Sequence, residues 1–213
     1  MGRYNFDKIV DRKHTKSLKY DFAAQRGKPA DVLPFWVADM DFEIPSELKQ
    51  VLLDRVNHGI FGYTESDDAY FNVLKEWFAS RFNWNIDKKW LVKTPGVVFA
   101  LAMAVRAFTK EGEGVLINQP VYYPFSMVID DNDRNLINVP LIQGADTYTI
   151  DFEGVERAIV EHNVTLFLLC NPHNPVGRVW TEDELKRLGD ICIKHNVIII
   201  SCLLYTSDAA DDR

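Results

Sequence analysis

The chain has 213 residues, of which 47% are hydrophobic and 12% aromatic, so it can bury the core of one large domain or one and a half. Its net charge is −7, with 24 basic and 31 acidic side chains and no long basic run, which argues against a nucleic-acid partner. No apolar run approaches the roughly 18 residues of a membrane span, and the polar residues 1–19 do not resemble a secretory signal.

The cysteines indicate the cellular compartment, and two aspartates are the candidates for metal binding. The cysteines, Cys170, Cys192 and Cys202, are an odd number without metal-ligand spacing, which is typical of reduced thiols and predicts a cytoplasmic protein. Asp39 and Asp41 are either a pair of metal ligands or turn residues on a solvated face, and the second interpretation is favoured. No metal site is therefore predicted.

The N-terminal part of the chain predicts an extended segment followed by two helices. Residues 1–35 are polar with few apolar anchors, as in an extended arm or a small-domain segment. The first helix is expected to begin near Ser46, with Ser46 as its N-cap, and to end near Gly59. A second amphipathic helix is expected over residues 67–82, with its apolar stripe in a core.

From residue 90 onward, predicted strands and helices alternate. Such alternation is typical of an α/β protein with a mostly parallel sheet and helices on both faces. The strands are predicted at residues 90–94, 114–118, 136–140, 164–169 and 197–201. The helices are predicted at residues 97–108, which we expect to be buried, and at 125–130, 151–162 and 182–195.

Three loops follow predicted strands, and ligands bind open α/β sheets at the carboxyl ends of strands. The turn at residues 94–96 precedes a helix whose first amides are free, which favours an anion. Tyr122 or Tyr123 either stacks on a flat ring or covers the sheet edge. Asn174, between two prolines, is either an ordinary turn residue or a hydrogen-bonding group for a ligand. Together these features suit a phosphorylated aromatic cofactor.

Other nucleotide and hydrolase sites are disfavoured by what the sequence lacks. It contains no Gly-x-Gly-x-x-Gly after a strand, no Gly-x-x-x-x-Gly-Lys-Ser/Thr and no Gly-x-Ser-x-Gly. These absences argue against a dinucleotide Rossmann site, a P-loop and a serine-hydrolase elbow.

The loop Asn174-Pro175-Val176-Gly177, after a strand and His173, resembles the Asn-Pro-x-Gly loop of the fold-type I pyridoxal-phosphate enzymes, the class I/II aminotransferase superfamily. Further stretches, in the family's order, resemble its cystathionine β-lyase (C–S lyase) branch. The resemblance extends over residues 1–201 and implies a fold-type I large domain. The matching stretches are residues 5–7 with 17–21, 36–42, 58–63, 95–98, 119–125 and 170–180.

The resemblance implies pyridoxal 5'-phosphate as cofactor and assigns roles to the three loops. The amides of Val97 and Val98 are expected to hold the cofactor phosphate. Tyr122 is expected to stack on the pyridine ring, and Asn174 to hydrogen-bond the ring hydroxyl.

The resemblance also implies a partner and a reaction. Tyr63 is expected to reach the phosphate of a neighbouring subunit in a homodimer, and the backbone at Val37 and Ala38 to lie beside the substrate carboxylate. The implied reaction is α,β-elimination from a sulfur amino acid, giving thiol, pyruvate and ammonia. An aminotransferase of the same fold is the alternative enzyme, and a non-catalytic dimerisation or binding fragment is the alternative of another class.

The sequence departs from the family pattern near its end. Cys202 stands where the family has an aspartate that pairs with the pyridine nitrogen. The Schiff-base lysine is expected beyond Arg213, so no catalytic residue is assigned and the chain is expected to be a truncated, inactive piece. The expected division is an arm and small-domain segment at 1–45, an incomplete large domain at 46–201 and a foreign or artefactual tail at 202–213.

Overall fold

The computed structural model describes residues 4–36 and 39–203, and the chain divides into two compact units, Met1–Trp84 and Asn85–Arg213. The first unit is helical in its described residues. Its elements are α1 (Leu18–Asp21), a 3-10 turn (Ala24–Arg26), α2 (Ser46–His58) and α3 (Asp68–Phe82).

The boundaries of α2 and α3 follow from local backbone chemistry. Helix α2 ends at Gly59, whose φ of 76° lies in the left-handed region that glycine adopts without strain. The prediction that Ser46 is its N-cap was wrong: Pro45 occupies that position, and Ser46 is already helical, so its hydroxyl donates to Glu47 instead. Helix α3 is capped by Asp67, whose carboxylate accepts the Tyr70 amide at 3.2 Å.

The apolar stripe of α3 was predicted to lie in a core, and this was wrong at its two ends, although Leu74, Trp77 and Phe78 between them are half-buried. Phe71 is buried, but Tyr70 and Phe82 are 47% and 43% exposed. The described part of the first unit contains no sheet, so α3 has no second layer to cover the whole stripe.

The second unit is an α/β structure, as the alternating pattern predicted. Its strands are β1 (Gly114–Ile117), β2 (Asn135–Asn138), β3 (Ile142–Gln143), β4 (Tyr148–Thr149), β5 (Val164–Cys170) and β6 (Ile198–Cys202). Its α-helices are α4 (Val97–Phe108), α5 (Pro124–Asp130), α6 (Phe152–Glu161) and α7 (Glu182–Lys194). The main sheet has the order β2-β1-β5-β6, and every adjacent pair is parallel.

The central strand β5 divides the core between the two faces of the sheet. Leu166 and Leu168 pack into a cluster with residues of α4 and α5, whereas Phe167 and Leu169 pack into a cluster with residues of α6 and α7. Successive side chains of a strand point to opposite faces, so an unbroken apolar run supplies both clusters. The predicted layers of helix on each face of the sheet are thereby confirmed.

Three predictions for this unit were wrong in detail. Residues 90–94 are not a strand: Lys88–Trp90 is a 3-10 turn, Val92 is 79% exposed, and no described segment pairs with these residues. The short antiparallel pair of β3 and β4 was not predicted. Helix α4 buries Leu101 and Val105, but its other face is exposed rather than buried.

Strand β6 ends one residue later than predicted, because Cys202 of β6 pairs with Cys170 of β5. Residues 204–213, most of the predicted tail, lie outside the described residues. Among the described residues, no helix is long and apolar enough to cross a membrane.

Candidate functional site

The carboxyl ends of β1, β5 and β6 lie side by side, because β5 is the strand between the other two. Two contacts join the segments that follow these strands. The Nε2 atom of His173 lies 3.0 Å from the carbonyl oxygen of Pro120, and the amide of Asn171 donates to the carbonyl of Cys202 at 3.2 Å. The loops that carry Tyr122 and Asn174 therefore belong to one edge of the sheet.

The N-terminus of α4 presents free amides. The first helical hydrogen bond runs from the amide of Ala100 to the carbonyl of Gly96, so the amides of Val97 and Val98 precede the helical pattern. Both residues are about 40% exposed. The hydroxyl of Thr94 donates to the same Gly96 carbonyl at 3.1 Å, which fixes the turn. This end of a 12-residue helix suits a phosphate group.

The tyrosine pair after β1 is divided between core and solvent. Tyr122 is half-buried and packs against the core cluster shared with α4 and α5, whereas Tyr123 is 69% exposed. Their ring centroids are 5.3 Å apart, and the rings are inclined at 59°. The sequence did not decide which of the two tyrosines could stack on a flat ring. In the structure, Tyr122 is the one whose ring packs against the core.

Asn174 lies in the loop after β5. The residue is half-buried, and its backbone amide donates to the sulfur of Cys170 at 3.5 Å. Together with Pro172, His173, Pro175 and Gly177 it lines a shallow depression of about 190 Å³. Gly177 has a φ of 70° and donates its amide to the carbonyl of His173 at 2.9 Å, which closes the turn.

A polar frame supports this loop, and sequence reasoning identified only part of it. The buried Trp180 donates its indole N–H to the carbonyl of Cys170 and its amide to Oδ1 of Asn171, at 3.0 and 3.1 Å. The guanidinium of Arg178 binds both carboxylate oxygens of Glu184 at 2.5 and 2.6 Å. Thr181 and Glu184 form a capping box at the start of α7, and their Thr-x-x-Glu spacing is the one signal for this frame in the sequence.

The frame also sets the charge of Glu184. Burial raises the pKa of its carboxyl group, but the hydrogen bonds from Arg178 and Thr181 outweigh burial, so the pKa lies below its usual value of 4.5. Glu184 is therefore ionised at neutral pH and can hold Arg178 and the helix start at the same time.

Two thiols lie beneath the site. Cys170 and Cys202 are paired in register and buried in the same core cluster. Burial is the main cause that raises the pKa of Cys170, with a smaller opposing contribution from the amide of Asn174. Cys170 is therefore a neutral thiol at neutral pH.

In the first unit, the structure assigns Asp39 and Asp41 to an ion-pair cluster. Arg12 binds the carboxylate of Asp39 through Nη2 and that of Asp41 through Nη1, both at 2.6 Å. Nζ of the buried Lys19 lies 3.2 Å from the carboxylate of Asp39 and 3.4 Å from that of Asp41. Tyr20 donates its hydroxyl to Asp41 at 3.0 Å. No group of residues able to hold a metal ion is found in the described part of the chain.

The remaining predicted site residues, Val37, Ala38 and Tyr63, belong to the first unit. Val37 and Ala38, predicted to lie beside a substrate carboxylate, are outside the described residues, although the ion-pair cluster begins at the next position, Asp39. Tyr63 lies in the loop between α2 and α3, and its side chain is fully exposed.

Comparison with known proteins identifies relatives for almost the whole chain. Residues 30–206 match the family described as aminotransferase class I and II. The chain is 42% identical to cystathionine beta-lyase PatB of Bacillus subtilis over 197 residues, which cover 92% of this chain and 51% of that protein. It is 35% identical to protein MalY of Escherichia coli, covering 93% of this chain and 51% of that protein.

Solved structures give the same result. A PLP-bound putative aminotransferase from Clostridium difficile 630 superposes with a TM-score of 0.87 at 45% identity, and cystalysin from Treponema denticola with 0.85 at 40% identity. Each comparison covers 93% of this chain and 51% of the other, so this chain spans about half the length of the proteins it matches. The chain belongs to the aminotransferase class I and II family.

Proposed function

We propose that this chain is the N-terminal part of a pyridoxal-phosphate-dependent carbon–sulfur β-lyase that acts on a small sulfur amino acid. The observation that carries the proposal is the set of groups in the second unit: free amides at the start of α4, a packed tyrosine after β1 and an asparagine after β5. An anion site, a flat ring surface and a side-chain amide match the three chemical parts of pyridoxal phosphate.

Each of these groups has a defined part in holding the cofactor. The amides of Val97 and Val98 bind the phosphate oxygens, helped by the positive end of the helix dipole. Tyr122 would pack against the pyridine ring, and Asn174 would hydrogen-bond the ring hydroxyl. When bound, pyridoxal phosphate supplies an electron sink for bonds broken at the α-carbon of an amino acid.

Cys202 fits the cofactor less well than the three groups above. Cys202 lies at the end of β6, where the resemblance implies an aspartate for the pyridine nitrogen. A thiol is only a weak hydrogen-bonding group, so it cannot hold a proton on that nitrogen as a carboxylate does. We therefore propose that this chain binds the cofactor weakly and, because none of its own lysines is assigned to the Schiff base, catalyses no turnover.

Titration with pyridoxal phosphate tests cofactor binding directly. The 213-residue chain is expected to induce circular dichroism in the cofactor absorption band, and Tyr122→Ala to weaken that signal. Tyr123→Ala is the matched control, because its ring is exposed rather than packed. Equal affinity for pyridoxal and pyridoxal phosphate would contradict the phosphate site at α4.

The choice of reaction is tested with the intact protein. Cystathionine is expected to yield free thiol and pyruvate in equal amounts, as an elimination requires. Formation of a keto acid without thiol release would identify an aminotransferase instead. The 42% identity to cystathionine beta-lyase PatB supports the lyase.

A homodimer is part of the same proposal. The side chain of Tyr63 is fully exposed in the described structure, as is required of a residue that reaches the cofactor phosphate of a neighbouring subunit. Analytical ultracentrifugation of the intact protein tests the dimer, and Tyr63→Phe is expected to weaken cofactor binding without changing the oligomeric state. A cytoplasmic location is proposed because no disulfide joins any of Cys170, Cys192 and Cys202.

A further inference from the structure

His173 joins the two loops that carry Tyr122 and Asn174. It is 2% exposed and directly precedes Asn174 in the loop after β5. Its Nε2 atom lies 3.0 Å from the carbonyl oxygen of Pro120, which is 53 residues earlier and two residues before Tyr122. The imidazole is thus a side-chain link between segments that are distant in sequence.

The chemistry of the partner fixes the proton on the ring. A carbonyl oxygen only accepts hydrogen bonds, so Nε2 of His173 carries the proton and donates it to Pro120. Burial is the main cause that lowers the pKa of the ring, and it outweighs the nearby carbonyl groups of Pro120, Cys170 and Asn118. The ring is therefore neutral at neutral pH, and Nδ1 is an unprotonated acceptor.

That second nitrogen argues against a purely space-filling role. Nδ1 of His173 is buried without a hydrogen-bond partner among the described residues, and such a group destabilises a fold. The ring packs edge-to-face on Trp180, with centroids 5.3 Å apart, and a phenylalanine would fill that space without an unsatisfied atom. The feature that a phenylalanine lacks is the hydrogen bond to Pro120.

We propose that His173 is a positioning residue that sets the distance between the ring-stacking Tyr122 and the hydroxyl-binding Asn174. The inference rests on the proposed cofactor site, since the two positioned groups are two of its contacts. The frame around Trp180 holds the imidazole from one side, and the bond from Nε2 to Pro120 transmits that position to the loop after β1.

Two amide substitutions separate the hydrogen bond from the ring. In His173→Gln the side-chain amide reaches the place of Nε2 and can donate to Pro120. In His173→Asn the shorter amide corresponds to Nδ1 and cannot reach it. His162→Asn is the matched control, because His162 is exposed. The first measurement is amide hydrogen exchange of residues 119–125, and the second is the Kd for pyridoxal phosphate.

We expect His173→Asn to raise exchange across residues 119–125 and to raise the Kd about tenfold, in proportion to the loss of one hydrogen bond. The Gln variant should stay near the parent protein in both measurements, and affinity for inorganic phosphate should be unchanged in all variants. Equal behaviour of the Gln and Asn variants, whether both parental or both impaired, would overturn the inference. If the parent chain binds no pyridoxal phosphate, the proposed function fails, while hydrogen exchange still decides the role of His173.

Discussion

Cys202 lies in register with Cys170 at the carboxyl ends of two adjacent parallel strands, and both thiols are buried in one core cluster. The end of β6 is thereby part of the packed sheet and lies next to the strand that leads to Asn174. A group placed at position 202 is consequently both a core residue and a neighbour of the candidate cofactor site.

Cys202→Asp is expected to destabilise the fold without cofactor and to raise the affinity for pyridoxal phosphate. Without cofactor, a carboxylate buried beside Cys170 carries the cost of leaving water, so the free energy of unfolding should fall by roughly 2–4 kcal/mol. With pyridoxal phosphate, the carboxylate gains the pyridinium as a partner, and the Kd should fall by at least about tenfold. Urea denaturation with and without cofactor measures both effects.

Cys202→Asn is the control for that experiment, since it has a similar volume and no charge. It should be less destabilising than the aspartate and should not improve affinity. An aspartate variant whose cofactor affinity equals that of the asparagine variant would show that position 202 does not face the pyridine nitrogen.

Val98→Pro tests the phosphate site at the start of α4. Val98 is the second residue of the helix, where an amide has no helical acceptor, so proline removes a donor without breaking a helical bond. Affinity for pyridoxal phosphate should fall about tenfold, consistent with the loss of one hydrogen bond to a charged group. Val98→Ala keeps the amide and should bind as the parent chain does. Comparable loss in the alanine variant would assign the effect to the side chain.

The sequence predicted the second unit well, because its signals are local and repeated. The apolar run of β5 is bounded by Asn163 and the prolines after Cys170, and the capping residues Asp151 and Thr181 mark the starts of α6 and α7. Two of the three predicted loops, those after β1 and β5, were placed correctly for the same reason, since a strand followed by a turn and a helix implies where the loop lies. The turn at residues 94–96 follows no strand, because Lys88–Trp90 is a 3-10 turn.

The features that escaped prediction depend on distant partners. Trp90 and Val92 have strand-like composition, but a strand exists only where another segment pairs with it. The contact of His173 with Pro120 spans 53 residues, and no spacing rule indicates it. Arg178 was missed because its partner Glu184 is recognisable only as a capping residue.

The pair of Arg178 and Glu184 is expected to stabilise the loop of Asn174 through the start of α7. Thr181→Ala removes the cap and should cost about 1 kcal/mol of unfolding free energy. Glu184→Gln keeps the shape but leaves the guanidinium of Arg178 without its anion, and it should cost more, about 2–3 kcal/mol. Urea denaturation measures both costs, and Lys186→Ala on the exposed face of α7 is the control.

The pH dependence of that pair follows from the lowered pKa of Glu184. A carboxyl group whose folded pKa is depressed stabilises the fold above its unfolded pKa and loses this contribution as pH falls through the folded value. The difference in the free energy of unfolding between the parent chain and Glu184→Gln should therefore be constant around neutral pH and become smaller below pH 4.5. A difference that grows on acidification would reject the assignment.

Asp39 and Asp41 make the ion-pair cluster of the first unit sensitive to acid. The hydrogen bond from Arg12 is the largest cause that holds the pKa of both carboxyl groups below the usual value of 3.8, against a smaller effect of desolvation. Both groups therefore stabilise the fold above pH 3.8 and lose that contribution as pH falls through their folded values.

Arg12→Gln should reduce this dependence, because both aspartates then titrate nearer to their usual range. The variant is expected to unfold at lower urea concentration than the parent at pH 6, and at nearly the same concentration at pH 2.5, with circular dichroism as the readout. Added salt should bring the urea concentrations at which the parent and Arg12→Gln unfold at pH 6 closer together. The carboxylates are partly exposed, so salt screens their attraction to Arg12. Lys13→Gln, which removes a neighbouring charge outside the cluster, should show no such pH dependence. An Arg12→Gln effect of the same size at both pH values would mean that Arg12 stabilises the unit by packing rather than by charge.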